Sequence, residues 1–503
     1  MRLVLAAVVV GALGCGRAVA PRSAEIAVVG ESTRLKLEAT TPAVTPWFDG
    51  KRVTLLAARG ETIGIQVVHT RSVASSLILR DPSVTVRGFA VESFAVSRPS
   101  TEMYGGSQGK GRYPDALTPA GSPATNPAYF ELVVGSAASP GDRTGELVVG
   151  DQRFPVVLTI VDVTLPPLTS SIWAYEDPRE LAWAAKSKSA MPEPKDGRPA
   201  ISRAEQSCID LFRAHGILLS PDLTLDDWPA RRQLLTGAKT IPVIISTDPT
   251  EAAAEVKGWI EATRGTGQVP FAIPIDEPQD AEARERVRAL AAAVRAAGGG
   301  PTTFRYAVTD EVRPEYGDLV DLYISLRGAR LGDRHERWTY NGAPPYAGSM
   351  VLDAATPGAR TWGWIAWRWN IATWYVWDAL YWHDRHNARK QRIEAPPLDP
   401  RRDPVSFDDG DDHGNFDGVL ALPAADGCQS TLRLAAIRRG LQDRQLLELA
   451  SRCSPNETAQ LAAKLIPTAL GDAPKAGAPS WPTDEAAWEL ARRELLELAS
   501  CRR

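Results

Sequence analysis

Between Glu25 and Leu168 apolar and polar residues alternate in short runs: TRLKLEA, TIGIQVVHT, SLILRD, VTVRGF, AYFELVV, GELVVG and FPVVLTIVDV. Gly, Pro, Ser and Asp separate them. A period of two puts alternate side chains on opposite faces of a strand, so the pattern predicts an antiparallel β-sandwich over residues 25–168. Pro166 and Pro167 close it as a linker. From Ser170 the rhythm changes. SSIWAYE, GILLSP, IPVIISTD, FAIPIDEP, TTFRYAVT, LVDLYISL and RWTYN read as strands, separated by helical patterns such as ISRAEQSCIDLFRAH and AEARERVRALAAAVRAA. Strands alternating with helices predict a parallel sheet, most economically a (β/α)8 TIM-like barrel over 169–400. Counting strands places FAIPIDEP fourth and RWTYN seventh, with the last helix and strand between Trp362 and Trp382. Pro274 then falls inside the fourth strand and predicts a bulge. A C-terminal strand and helical extension follows over 401–503: FDGVLALP, the helix STLRLAAIRRGLQDRQLL, a Pro/Gly-rich link and an amphipathic helix from Asp484. The expected whole is multidomain.

The N-terminus changes where this fold is expected to work. Arg2 precedes an apolar run from Leu3 to Leu13, too short to span a bilayer comfortably. The run ends in Ala12-Leu13-Gly14-Cys15, which resembles the lipobox of a bacterial lipoprotein, in which the cysteine is acylated and becomes the new N-terminus. Residues 1–14 are then a lipoprotein signal peptide, 15–24 a linker, and Cys15 the lipidation site and membrane anchor. Gly16 follows the cysteine, which suits outer-membrane or cell-surface sorting. A plain secretory signal would leave the protein periplasmic or secreted. Of the remaining cysteines, Cys453 and Cys501 each end a similar helical pattern, QLLELASRC and ELLELASC, and a disulfide between them would staple the C-terminal helices.

Composition mostly excludes. The 57 basic and 61 acidic residues among 503 leave a net charge of −4, with no basic surplus for nucleic acid. No cysteine spacing or HExxH pattern indicates a metal site, and no glycine-rich phosphate loop or GxSxG elbow is present, so no cofactor is expected. FDDGDDHGNFDG, whose aspartates lie within 408–417, is rich enough in aspartate to invite calcium but lacks EF-hand spacing, and reads as a solvated loop. His383 and His386 read as surface residues. Tryptophan is the outlier: 15 in the chain, seven between Trp362 and Trp382.

The sharpest chemical feature is Asp276-Glu277-Pro278, at the end of an apolar strand, where barrel enzymes carry their catalytic groups. Acids and proline are equally natural at a helix start, which is the plain alternative. Two adjacent carboxylates do not readily flank a sugar ring from opposite faces as an ordinary glycosidase pair does. They suit work from one side: one protonates a leaving oxygen while the other steers a nucleophile inside the substrate, as in hydrolysis assisted by a 2-acetamido group. Such chemistry wants Glu277 protonated near neutral pH, which burial beside a second carboxylate would favour. Indole and phenol rings pack against the apolar faces of sugars. Trp338, Tyr340 and Asn341 at the expected end of strand seven, and Tyr381 and Trp382 at that of strand eight, are the candidate substrate-binding residues. The other tryptophans of the cluster read as core.

Several segments together resemble glycoside hydrolase family 123, whose catalytic domain was long called domain of unknown function 4091. ARGETIGIQVV, RYPDALTP, GDRTGELVVG and FPVVLTIVDVTLPPL resemble its leading β-sandwich. IDEP resembles its aspartate–glutamate–proline signature. FDGVLALP followed by STLRLAAIRRGLQDRQLL resembles its glycine–aspartate–glycine strand and arginine-rich helix. The likeness runs from about Ser32 to Leu449, and departs where GLQDRQLL replaces an acidic residue and tyrosine around the aspartate. It implies an exported β-N-acetylgalactosaminidase-like hydrolase working by the substrate-assisted retaining route. Glu277 would be the general acid/base, Asp276 would orient the acetamido group, and Tyr340 and Trp382 would line its pocket. The partner is then a glycan or glycoconjugate. A non-catalytic glycan-binding surface lipoprotein is the alternative.

Overall fold

The computed structural model describes residues 25–69, 73–120, 127–181, 201–327, 336–382 and 400–501. Cys15 with its leader, and His383 and His386, lie outside the described residues. Strands β1 (Ile26–Gly30), β2 (Val53–Arg59), β3 (Thr62–His69), β4 (Ser75–Leu79), β5 (Val84–Val96), β6 (Gly111–Pro119), β7 (Ala128–Val134), β8 (Gly141–Val149) and β9 (Gln152–Thr164) make two sheets, ordered β1-β3-β7-β5-β6 and β2-β9-β8-β4. The two faces bury Val28, Ile65 and Phe130 against Leu55, Leu147 and Leu158. Sequence alternation predicts an all-antiparallel arrangement, but β2 runs parallel to β9. TRLKLEA forms no strand. Its polar side chains are drawn elsewhere, Thr33 to Glu485 and Arg34 towards Asp115, and β1 ahead of it takes the sheet position instead.

Eight parallel strands follow: β10 (Ile172–Tyr175), β11 (Ile217–Ser220), β12 (Thr240–Pro242), β13 (Val269–Ala272), β14 (Arg305–Val308), β15 (Leu322–Ile324), β16 (Arg337–Tyr340) and β17 (Thr373–Val376). They pair in chain order, and β17 returns to β10. At the β11/β12 seam only one bridge, Leu223 to Val243, joins the segments that follow the strands, so the barrel is nearly closed. Trp173, Phe271, Ala307, Leu322, Ile324 and Trp338 fill its interior. Among the described residues the expected full set of eight helices is not found. Helices α1 (Arg203–Ala214), α2 (Trp228–Arg231), α3 (Pro249–Ala262), α4 (Ala281–Ala296) and α5 (Thr361–Arg368) are present, but after β14 a 3-10 turn at Pro314–Tyr316 stands where a helix would.

The C-terminal part adds two short hairpins, β18 (Val405–Asp408) with β19 (His413–Asn415) and β20 (Leu422–Ala424) with β21 (Gly427–Gln429), then helices α6 (Leu432–Cys453), α7 (Pro455–Leu465) and α8 (Glu485–Ala499). Thr431 caps α6 by accepting from the Leu434 N–H. Helix α6 lies against α5 at a crossing that needs glycine on both sides: a Cβ on Gly363 would sit 1.8 Å from the Gly440 carbonyl oxygen. Cys453 and Cys501 are joined by a disulfide, and a second bridge unpaired in the sequence reading, Cys208–Cys428, ties α1 to β21. Among the described residues no helix is long and apolar enough to cross a membrane.

Candidate active site

β13 ends at Ala272, so Pro274 lies in the loop beyond it and no bulge is needed. The loop carries Asp276 and Glu277 out over the C-terminal face of the barrel. The helix that follows is capped by Asp280, whose side chain accepts from the Ala283 N–H, so Asp276-Glu277-Pro278 is not the helix start. The backbone at Glu277 is left-handed, with φ +41°. For a side chain with a Cβ that conformation costs about 1–3 kcal/mol, and such strain gathers where geometry serves function.

Thr309, just past β14, holds this backbone. Its hydroxyl accepts from the Glu277 N–H at 2.6 Å and donates to Asp276 Oδ1. From the end of β16, the Tyr340 hydroxyl donates to Glu277 Oε1 at 3.0 Å. Burial, reinforced by the Glu277 carboxylate, pushes the Tyr340 phenol well above its ordinary range, so it stays a donor. Each carboxylate thus has one oxygen engaged by a neutral hydroxyl. Asp276 and Glu277 are exposed, so the burial expected around Glu277 is not supplied by the described residues.

The strand register aligns the aromatics beside the pair. Tyr340 lies opposite Tyr375, and Tyr375 opposite Trp173. Trp173 and Tyr375 stack at 4.6 Å and 11°, and Tyr340 and Tyr375 at 6.4 Å and 28°. Alternation along β17 sends Tyr375 inward and Trp374 outward, where it stacks on Trp362 of α5 at 5.1 Å. Tyr375 is a residue the sequence reading passed over, although that alternation marks it.

The other expected binding residues are placed differently. Trp338 is fully buried in the barrel interior, edge-on to Phe271 at 4.9 Å. Asn341, at φ +48°, ties strand ends together: its backbone oxygen accepts from Trp374 Nε1 and its side-chain oxygen from the Trp377 N–H. β17 ends at Val376, several residues earlier than expected, so Tyr381 and Trp382 lie past the strand. Both are buried in the hydrophobic core shared with the C-terminal helices, and Trp382 Nε1 donates to the Ala421 carbonyl. The structure brings Asp276, Glu277 and Tyr340 together by hydrogen bonds, and places Trp338, Tyr381 and Trp382 in buried packing.

Two further acids line the same end of the barrel. Glu176, directly after β10, is fully buried with neither carboxylate oxygen hydrogen-bonded. Burial, helped by nearby Glu205, pushes its carboxyl well above the usual carboxylate range, favouring the neutral form. Asp378, past β17, is also buried. In the aspartate-rich loop Asp408 and Asp409 accept local backbone N–H groups, and Asp408 pairs with Arg98. Among the described residues no cluster of three or more His, Cys, Asp or Glu is placed to hold a metal ion.

No protein-family model and no curated protein matches the chain. Its fold is nevertheless that of a solved family 123 glycoside hydrolase from Clostridium perfringens, reported for glycolipid glycan hydrolysis. That structure aligns over 94% of this chain and 97% of its own, with a TM-score of 0.56 at 11% identity. A glycosyl hydrolase family 2 member from Bacteroides cellulosilyticus aligns over 64% of this chain and 44% of its own, at 12% identity and a TM-score of 0.26, too low to inform the fold.

Proposed function

We propose that this chain, which has the fold of a family 123 glycoside hydrolase, is itself an exported hydrolase of β-linked 2-acetamido sugars, N-acetylgalactosaminides foremost, anchored through acylated Cys15. The observation that carries the reading is the hydrogen-bonded set Asp276–Thr309–Glu277–Tyr340 on the C-terminal face of the barrel. With Oε1 of Glu277 taken by Tyr340, the proton for the leaving oxygen sits on Oε2. With Oδ1 of Asp276 taken by Thr309, Oδ2 is left for the acetamido N–H. Asp276 thereby aims the acetamido oxygen at the anomeric carbon and balances the positive charge as that ring closes. Glu277 first gives its proton to the departing alcohol and then takes one from the water that opens the cyclised intermediate. Because the pair is open in the free protein, it is the bound glycan that must exclude water from it.

The test is kinetic. Glu277→Gln should depress hydrolysis most for substrates with poor leaving groups and least for activated aryl glycosides. Asp276→Asn should depress all substrates by a similar factor, and sugars lacking the 2-acetamido group should not turn over. Rapid cleavage of plain galactosides would remove the mechanism; tight glycan binding with no turnover would establish a binding protein instead. Lipidation is tested separately: Cys15→Ala should move the protein from the detergent phase to the aqueous phase, and a wild-type protein wholly in the aqueous phase would exclude the anchor.

A further inference from the structure

The segment FDGVLALP contributes nothing to the acid pair directly, yet its backbone is turned unusually hard. Phe416 has φ +56° and Gly418 φ +66°. Between them Asp417 is driven into a fully desolvated position, 5% exposed. The ring of Trp377 closes over Gly418 so tightly that a Cβ there would come within 2.7 Å of it. Asp417 Oδ1 accepts from Trp377 Nε1 at 3.2 Å, and Oδ2 accepts from the hydroxyl of Tyr104, a residue of the N-terminal region, at 3.0 Å. Trp377 is the first residue past β17, and its N–H donates to the Asn341 side chain at 3.1 Å. Asn341 is the first residue past β16, immediately after Tyr340, whose hydroxyl holds Glu277.

We infer that Asp417 is a positioning residue for the acid pair: it pins the Trp377 indole at the barrel mouth and, through Asn341, the strand end that presents Tyr340 to Glu277. The inference rests on the hydrolase reading for its kinetic part only. A packing role would be better served by an apolar side chain. Burial lifts the Asp417 carboxyl to about 6, against the hydrogen bonds from Trp377 and Tyr104, so a costly group is kept where its two acceptors are used. The geometry also makes an amide an adequate substitute: its oxygen can serve Trp377, whose N–H only donates, while its NH2 faces the Tyr104 hydroxyl, which can turn and accept.

The experiment compares Asp417→Leu with Asp417→Asn, using an aryl β-N-acetylgalactosaminide and crystal structures of both variants. Asp417→Leu should lower kcat by about 10- to 100-fold, the scale of a small misplacement at a reacting centre, with a smaller change in KM. Its crystal structure should show Trp377 shifted and the Tyr340–Glu277 hydrogen bond broken. Asp417→Asn should stay within about threefold of wild type by the same reasoning. Should the leucine variant not fold, Trp377→Phe deletes the same hydrogen bond from the other side and should show the same loss. Wild-type kcat in the leucine and Trp377→Phe variants, Tyr340 unmoved in the leucine structure, or an asparagine variant as damaged as leucine would each overturn the inference. If the wild-type protein turns over no substrate, the hydrolase reading fails alone, and the crystal comparison still decides the positioning role.

Discussion

The Thr309 hydroxyl is the smallest part of the candidate site and the most heavily used. One oxygen accepts from the Glu277 N–H, stabilising a left-handed backbone, and its single proton orients Asp276. Thr309→Val keeps the shape and removes both bonds. It should lower kcat by about 10- to 100-fold, as loss of geometry at a reacting centre does, with KM little changed. Thr309→Ser should restore most of that. Steady-state kinetics of the two variants check this, and equal activity in both would count against it. Asp276 and Glu277 were legible in the sequence as candidates because two adjacent acids follow an apolar strand, where barrel enzymes carry their catalytic groups. Thr309 was not legible, since a threonine closing a strand is ordinary. Tyr381 and Trp382 misled for the opposite reason. Aromatic content alone does not say which way a ring faces, and the early end of β17 turns both into core.

At the scale of elements, α6 shows how a motif can be conspicuous without being chemical. Its arginines point at acids from other parts of the chain: Arg433 at Asp115 (2.9 Å), Arg438 at Glu31 (3.0 Å) and Arg439 at Glu61 (2.5 Å). Asp443, in the stretch where the helix departs from the family pattern, accepts from Arg360 at 2.8 Å and from Trp364 Nε1 at 2.9 Å. The helix is a clamp between sandwich and barrel, and the sequence showed its existence but not its partners, which lie hundreds of residues away. The clamp depends on a close approach. A Cβ on Gly440 would lie 2.4 Å from the Arg360 carbonyl oxygen, inside any real contact. Gly→Ala in a free helix stabilises by about 1 kcal/mol. Here the forced separation of α5 and α6 should outweigh that and leave Gly440→Ala destabilised by about 1–3 kcal/mol. Urea unfolding of variant and wild type measures it; a stabilised variant would mean the crossing is looser than the geometry states.

Across the whole molecule, the two-part plan of short alternating strands followed by strand–helix alternation was readable because each periodicity repeats over more than a hundred residues. What holds the parts together was not readable, because it is ionic and long-range. Glu61, in the turn between β2 and β3, sits fully buried between Arg439 of α6 and Arg492 of α8, the latter at 2.7 Å. Burial alone would push this carboxyl up; the two guanidiniums outweigh it and hold it at about 2, below its ordinary 4.5. The sign follows from linkage. A carboxylate whose folded pKa is depressed contributes stability that is fully present above about pH 4.5 and is lost as pH falls towards 2. A shift of that size corresponds to roughly 3 kcal/mol. Removing the charge with Glu61→Gln leaves Arg439 to Asp443 and Glu31 and Arg492 to Glu489, which should cost about 3 kcal/mol at pH 7, the low end for breaking a buried pair. In acid the wild-type carboxyl takes up a proton and withdraws the same charge from the two guanidiniums. The stability gap between wild type and variant should therefore be widest at neutral pH and close steadily between pH 4.5 and 2. Denaturant unfolding at a series of pH values reads that gap, and one that stays constant down to pH 2.5 would show that Glu61 is not the charge that locks the C-terminal helices to the sandwich.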